Sequence, residues 1–444
     1  MLRKIGLILV TLVAVVLVGV VFLRLQGAAL PGLPAAPLPA SLAPAIASGD
    51  SAAVASAIRA RCRLLLGKYK RHCVEDFLLQ LTRAEKVRLA MGALDILGQH
   101  DGGIRRRGHD YSHVIGINAW DPSKDIGAVY LQCNELFQSG CYHGVIQAYF
   151  AYNGTDSAHV VGVCRDTPGI RDNGWLHFQC VHGIGHGLVQ NYSMRLPRAL
   201  EGCDMLGNYF DSESCYGGAF MEFIVGGRGQ SHHPHLVPAP AAKPAGEMDH
   251  DMAGMDHGTM APESLPPFKV RDRSDLLYPC SVLGDRYQRS CYGMQAGLIV
   301  EVTGLDFAKV AKVCDTAPEL MRSVCYQGIG TYVSGVTARD PDESIRICSL
   351  GSPRYRSWCF VGVVKNFIDV TATPDDGISF CRRLDAKDVA TSCWVAVGEQ
   401  VAALYMMMGQ RREACAKSTP EYVQACLFGA GLTTVRPPDL PLRS

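Results

Sequence analysis

The sequence predicts an all-α fold, a solenoid of about ten disulfide-stapled helical hairpins that follows one N-terminal transmembrane helix. Cysteines recur in pairs, the pairs recur with a period near 34 residues, and apolar residues around them show helical spacing. The second cysteines of the later pairs show the period best, since they lie 34, 34, 34 and 33 residues apart. These are Cys291, Cys325, Cys359, Cys393 and Cys426.

The first half of the chain keeps this period once two gaps are explained. Cys73 and Cys141 lie 68 residues apart, which is two periods, and Arg107 stands midway where a cysteine would fall. Cys215 and Cys291 lie 76 apart, which is one period plus the length of a Gly/Pro/His/Met-rich insertion. We therefore count ten repeats, of which nine carry a pair. The expected pairs are Cys62/Cys73, Cys133/Cys141, Cys164/Cys180, Cys203/Cys215, Cys280/Cys291, Cys314/Cys325, Cys348/Cys359, Cys381/Cys393 and Cys415/Cys426.

Each repeat is expected to be a helical hairpin, and residues 306–337 illustrate the pattern. Apolar residues at helical spacing predict a first helix that ends at Cys314. Asp315 or Thr316 is then available to cap a second helix that carries Cys325. A disulfide would join the two helices across the turn. Gly or Ala recurs three positions after the second cysteine, as at Gly328, which predicts close approach of a facing helix.

The first 50 residues predict attachment to a membrane. Residues 5–23 are uncharged and follow Arg3 and Lys4, a length that suits a transmembrane helix acting as a signal-anchor. A cleaved signal peptide is the alternative, because an Ala-rich stretch follows. The positive-inside rule leaves residues 1–4 in the cytoplasm. Residues 24–50 are rich in Ala and Pro and predict an extended linker.

Eighteen cysteines in regular pairs fit an oxidising compartment. We therefore expect an inner (cytoplasmic) membrane protein, single-pass, with its bulk in the periplasm or outside the cell. The net charge of +1, from 43 basic and 42 acidic residues, argues against a nucleic-acid partner. A run of three arginines at 105–107 is the local exception, and we expect it to be a solvated loop.

The remaining chain divides by its repeats. Repeats 1 to 5 occupy 51–225, the insertion 226–267, repeats 6 to 10 268–436, and a short tail 437–444. In plan, the stapled hairpins resemble the disulfide-stapled, tetratricopeptide-like repeat proteins that some bacteria secrete. The resemblance implies an all-α solenoid, although the Trp/Leu-Gly/Tyr pattern of tetratricopeptide repeats is missing.

Histidines concentrate in one register of the early repeats. Counted from the second cysteine, or from Arg107 in repeat 2, offsets +2 and +6 carry five of them: His109, His113, His143, His182 and His186. Residues four apart share a helix face, and equal offsets on neighbouring repeats stack. We therefore expect a wall of five histidines that holds a metal ion, with Met221 and Glu222 of repeat 5 as further ligands. The alternative is a set of polar residues that line a groove or are hydrogen-bonded in the core.

The insertion carries its own candidate ligands in two copies of a Met-Asp-His unit. These units resemble the Met/His copper-binding repeats of periplasmic copper-resistance proteins and multicopper oxidases, which implies copper capture by a mobile arm. Thioether sulfur suits Cu(I), while imidazole and carboxylate suit Cu(II). Zinc or nickel at the histidines, or a linker without function, are the alternatives. The candidate ligands are His232, His233, His235, Met248, His250, Met252, Met255, His257 and Met260.

Together these patterns favour a membrane-tethered, extracytoplasmic metal-binding protein for metal capture, delivery or tolerance. Copper is the expected metal, with zinc or iron as alternatives, and the expected partners are the metal ion, the membrane through residues 5–23, and an envelope protein. A scaffold for protein assembly is the main alternative, since most solenoids bind proteins. A metal-dependent oxidoreductase, with Glu222 beside a two-metal centre, is a third hypothesis. No catalytic residue is assigned.

Overall fold

The structure, a computed structural model, describes residues 38, 40–226 and 268–440. In this part the chain forms 21 α-helices joined by turns, and no β-strand is present there. The all-α class is therefore confirmed for the described residues. The predicted membrane segment 5–23, most of the linker, the insertion beyond residue 226 and the end of the tail lie outside them. No helix of the described part is both long enough and apolar enough to cross a bilayer.

The chain divides into two compact units. The first contains residues up to Asp121 together with Gln132–Val145, and the second contains Pro122–Leu131 and the chain from Ile146 onward. The helices that lie wholly in the first unit are α1 (Ala43–Ser48), α2 (Ser51–Cys62), α3 (Gly67–Arg83), α4 (Val87–His100), α5 (Gly102–Arg106) and α6 (Gly108–Ala119). Helix α7 (Ile126–Tyr130) belongs to the second unit, and α8 (Gly140–Asn153) starts in the first and ends in the second.

The second unit continues with the later repeats, two helices to most of them. Its further helices are α9 (Ser157–Arg165), α10 (Gly174–Asn191), α11 (Leu196–Asp204), α12 (Tyr209–Gly226), α13 (Asp285–Val302), α14 (Phe307–Cys314), α15 (Glu319–Val336), α16 (Pro341–Cys348), α17 (Arg356–Asp369), α18 (Asp375–Cys381), α19 (Lys387–Leu404), α20 (Met408–Ala416) and α21 (Val423–Gly429).

The hairpin and its staple form as the cysteine spacing predicts. Cys314 ends α14, Cys325 lies on α15, and the two are bonded with their Cα atoms 5.6 Å apart. All nine expected pairs are disulfides, with Cα–Cα distances between 5.5 and 5.9 Å. Helical repeats and disulfide bonds are therefore confirmed. Each short bridged loop restricts the unfolded chain and stabilises its hairpin by roughly 2–3 kcal/mol.

The prediction of an N-cap at Asp315 or Thr316 for the second helix of repeat 7 is wrong. Helix α15 begins at Glu319 after Pro318, and neither Asp315 nor Thr316 caps it. Asp315 is instead the C-cap residue of α14, directly after Cys314, and accepts a hydrogen bond from the hydroxyl of Tyr326 at 2.9 Å. Tyr326 is buried, and a buried phenol needs an acceptor that local sequence does not reveal. Packing across the hairpin therefore takes Asp315 away from the cap.

Two repeats depart from the hairpin pattern. In repeat 2, which lacks a disulfide, the second helix is interrupted at Arg107, between α5 and α6. A Cβ atom at Gly108 would lie 1.9 Å from the ring of Phe137, so the chain leaves room there for an aromatic side chain. In repeat 6 the first helix is reduced to a 3-10 turn at Cys280–Val282.

Second helices of neighbouring repeats touch along glycines. A Cβ atom on Gly330 of α15 would lie 1.8 Å from the carbonyl oxygen of Cys359 in α17. In return, a Cβ atom on Gly362 of α17 would lie 1.9 Å from the carbonyl oxygen of Gln327 in α15. Backbone meets backbone at these positions, so a larger residue does not fit. The close approach predicted from the recurring glycines is confirmed.

The second unit also makes a contact that neighbour-to-neighbour stacking does not predict. Gln179 on α10 of repeat 4 donates a hydrogen bond to Oδ1 of Asp369, at the end of α17 in repeat 8, over 2.9 Å. A Cβ atom at Gly174, the first residue of α10, would lie 3.0 Å from the carbonyl oxygen of Ala403 in α19. The repeats of this unit therefore curve until the fourth contacts the eighth and ninth.

Candidate metal centre

Three histidines of the first unit lie where two second helices touch. Helix α6 carries His109 and His113 one turn apart, and α8 carries His143. A Cβ atom on Gly116 would lie 2.0 Å from a carbonyl oxygen of α8, and one on Gly144 would lie 2.3 Å from the carbonyl oxygen of His113. This backbone contact brings side chains from both helices into one space.

The three imidazoles form a compact cluster. Nε2 of His109 and Nε2 of His113 are 3.1 Å apart. The ring centroid of His143 lies 5.4 Å from that of His113 and 5.9 Å from that of His109. One ring nitrogen from each of the three lies within 4.8 Å of the others. The structure thus brings together the three histidines that repeats 2 and 3 place in one register.

A backbone carbonyl sets the proton position on His109. Nδ1 of His109 lies 2.8 Å from the carbonyl oxygen of Phe137. A carbonyl only accepts hydrogen bonds, so Nδ1 carries the proton, and in the neutral ring Nε2 keeps its lone pair. Metal-binding histidines are commonly oriented through such a bond from the other ring nitrogen. The Phe137 carbonyl is a contributor that the histidine pattern did not reveal, because no side chain marks it.

The separation of two of the ring nitrogens, those of His109 and His113, suits a bound transition metal. Two nitrogens bonded to one metal at about 2.0–2.1 Å, with an angle of about 90–110° between the bonds, lie roughly 2.9–3.4 Å apart. The 3.1 Å between the Nε2 atoms of His109 and His113 falls in this interval. An N–H···N hydrogen bond gives the same separation without a metal. His113 and His143 are buried, at 0% and 2% exposure, while His109 is half-buried.

The other two histidines of the register belong to the second unit, both on α10. Nδ1 of His186 lies 2.8 Å from Oε2 of Glu222 on α12, and Gln147 donates to the same oxygen over 3.2 Å. The three side chains are 0%, 3% and 1% exposed. The carboxylate accepts a hydrogen bond from Nδ1–H, so in the neutral ring Nε2 of His186 holds the lone pair, again the arrangement common around metal sites. That all five histidines share one ion stays a prediction.

His182 lies one turn before His186 and is nearly buried, with the two ring centroids 5.2 Å apart. Because Gly217 has no side chain, space is left beside His182. A Cβ atom there would lie 3.5 Å from Nδ1 of His182 and 3.9 Å from the methyl carbon of Met294. Met294, at offset +3 of repeat 6 and outside the histidine register, therefore borders the same space as His182.

The remaining candidates divide between the described residues and the insertion. Met221 lies on α12 beside Glu222 and is half-buried. The candidate ligands of the insertion fall outside the described residues, and their role stays a prediction. They are His232, His233, His235, Met248, His250, Met252, Met255, His257 and Met260.

The fold and the site define an all-α helical-repeat protein with nine disulfides and a buried histidine cluster. No family model, no curated protein and no solved structure matches the chain. The two resemblances noted in the sequence, to tetratricopeptide-like proteins and to Met/His copper repeats, therefore stay predictions.

Proposed function

We propose that this chain is a membrane-tethered, extracytoplasmic solenoid that binds copper for capture, delivery or tolerance. The observation that supports it most is the cluster of His109, His113 and His143, in which a backbone carbonyl prepares Nε2 of His109 as a ligand. Burial of His113 and His143 limits the access of water to a bound ion and lets neighbouring helices hold the geometry.

Copper is preferred over zinc and iron on the chemistry of the whole chain. Imidazole binds Cu(II), Zn(II), nickel and iron, so the histidines by themselves do not distinguish these metals. The insertion adds thioether ligands, which favour Cu(I). A protein that offers imidazole in its core and thioether in a separate segment therefore has ligands for both oxidation states.

The location is inferred from the N-terminus and from the disulfides. The uncharged segment 5–23 after Arg3 and Lys4 supports a single membrane helix with a cytoplasmic N-terminus. Nine disulfides support an oxidising compartment for the repeats. Both lines favour the periplasm or the outside of the cell.

Copper titration of the full-length protein in detergent tests the proposal. The double variant His113→Ala/His143→Ala should bind one Cu(II) fewer than the wild type, by elemental analysis, and should lose one component of the EPR spectrum. His159→Ala is the matched control, since His159 lies on α9 and pairs with Asp156. His113→Gln keeps most of the side-chain volume and checks that loss of metal is not loss of folding. Equal copper content and equal spectra in wild type and double variant would refute the site.

A scaffold role for repeats 6 to 10 is the second candidate. Met406 and Met407 in the turn between α19 and α20, and Met408 at the start of α20, are 55%, 68% and 66% exposed. Adjacent exposed apolar side chains commonly mark a surface that binds another protein. A stoichiometric partner that stays bound after complete chelation of metal would favour this role over metal handling.

A further inference from the structure

The turn of the first repeat exposes apolar side chains to solvent. Between α2 and α3, Leu65 points into the core at 7% exposure, while Leu64 and Leu66 on either side are 58% and 81% exposed. Tyr69, in the first turn of α3, is 42% exposed. Leu66 is the most exposed large apolar side chain of the described residues. Leucines in such a position are unfavourable in water unless another apolar phase receives them.

This turn is also strongly basic. Residues 51–74 contain six Lys and Arg and no Asp or Glu. Arg59, Arg63 and Lys68 are exposed around the two leucines. The disulfide between Cys62 and Cys73 closes the base of the turn, so the cations and the leucines are presented together by a constrained loop.

A contact with repeat 2 extends the basic surface. Lys70 on α3 forms an ion pair with Asp101, which caps α5 through the backbone amides of Gly103 and Ile104. Arg105 and Arg106, at the other end of the five-residue helix α5, are both exposed. The arginine run therefore continues the charge of the first turn.

We propose that this surface, here called the basic apolar patch, lies on an anionic lipid bilayer, with its leucines inserted among the acyl chains near the headgroups. The patch consists of Arg59, Arg63, Leu64, Leu66, Lys68, Tyr69, Arg105 and Arg106. It makes the first repeat a second membrane contact, in addition to the tether of the proposed function, and it is independent of metal binding.

The composition of the patch favours a bilayer over other anionic partners. Lys and Arg near a surface of anionic lipid are attracted to the headgroups, and apolar side chains beside them enter the acyl region. Tyr69 suits the boundary between the two, because its ring is apolar and its hydroxyl is polar. A nucleic acid would use the cations and leave the leucines in water. The patch also begins soon after the predicted linker 24–50, which limits its distance from the predicted membrane segment.

Tryptophan substitution in the full-length protein tests the proposal. Leu66→Trp is reconstituted into vesicles whose lipids carry brominated acyl chains, with phosphatidylglycerol present or absent, and the fluorescence of the wild type is subtracted. We expect blue-shifted and severalfold quenched emission from position 66 in the anionic vesicles and much weaker quenching in neutral ones. Leu350→Trp is the matched control, since Leu350 is 47% exposed in the equivalent turn of repeat 8.

Charge reversal separates the role of the cations from that of the leucines. Adding Arg63→Glu and Lys68→Glu to the Leu66→Trp protein should abolish the quenching in anionic vesicles. The proposal is overturned if position 66 is unquenched in every vesicle, if neutral and anionic vesicles quench it equally, or if position 350 is quenched as strongly. Copper content, measured on the same samples, reports on the proposed function separately.

Discussion

Nδ1 of His186 lies 2.8 Å from Oε2 of Glu222, and this pair is buried between helices α10 and α12 of the second unit. The same oxygen accepts a hydrogen bond from the side-chain amide of Gln147. A buried carboxylate is stable only when hydrogen bonds replace its water, and these two donors supply them. Glu222 therefore orients the imidazole of His186. Its direct ligation of a metal, expected from the sequence, stays a prediction.

Glu222→Gln should weaken both stability and metal affinity. The amide oxygen of the variant is a weaker hydrogen-bond acceptor than the carboxylate. We therefore expect a loss of about 1–3 kcal/mol in the free energy of unfolding. If His186 binds copper, losing the carboxylate behind it should lower the affinity about 10–100-fold. Thermal unfolding and copper competition titration measure the two effects. Glu319→Gln, at a 62% exposed carboxylate, should change neither; equal behaviour of the two variants would refute the orienting role.

Gly330→Ala should destabilise the second unit. The new methyl group would lie 1.8 Å from the carbonyl oxygen of Cys359, which forces α15 and α17 apart. We expect a loss of about 1–3 kcal/mol or more, by analogy with other overpacked cores, seen as a lower Tm. Gly335→Ala in the same helix meets no atom within 4 Å and should stabilise by about 0.5–1 kcal/mol through helix propensity. A stable Gly330→Ala protein would show that the helices do not touch there.

The contact between Gln179 and Asp369 should make stability depend on pH. Burial raises the pKa of the Asp369 carboxyl to about 6, against the opposing effect of hydrogen bonds from Gln179 and Trp175. The ordinary value is about 3.9, so the folded protein holds this proton more tightly than the unfolded chain. The resulting stability is fully present below about pH 4 and is lost as the pH rises through 6.

Asp369→Asn tests this dependence, because the amide keeps the acceptor for Gln179 and cannot ionise. Relative to the wild type, the variant should gain stability between pH 4.5 and pH 7.5, by up to about 3 kcal/mol. The measurement is Tm across that interval. Asp376→Asn, at a carboxylate 47% exposed on α18, is the control and should follow the wild type. Parallel curves for wild type and Asp369→Asn would contradict the raised pKa.

Loss of the last staple should unravel the chain from its C-terminal end. Cys415→Ser/Cys426→Ser removes the bridge between α20 and α21, and α21 has only seven residues, too few to persist alone. We expect about 2–4 kcal/mol less stability for this hairpin. Hydrogen exchange should accelerate in residues 408–429 and stay unchanged in repeat 7. Uniform acceleration throughout the second unit would instead indicate that the repeats unfold as one.

Local sequence was a good guide to the repeats and a poor one to polar partners. The bounds of α14, from Phe307 to Cys314, follow from apolar spacing and a cysteine at its end. Asp315 was expected to cap the next helix and instead bonds Tyr326, eleven residues on. His177, which lies outside the histidine register, is on α10 and bonds Asp211, a partner that the repeat spacing does not indicate. The residue that caps a helix, and the acceptor that a side chain bonds, depend on which groups are brought close by tertiary packing.

Spacing along the chain was enough to predict the class of the fold, the nine cysteine pairs, the glycine contacts and the register that places His109, His113 and His143 together. Each of these depends on spacing within one repeat or between adjacent repeats, and a fixed period makes those spacings visible. Tertiary structure alone decided that the Phe137 carbonyl orients His109, that Glu222 orients His186, and that Gln179 reaches Asp369 across 190 residues. Such contacts depend on how each helix is rotated and on the curvature of the stacked repeats. Many interfaces together determine that geometry, so no short sequence pattern encodes it.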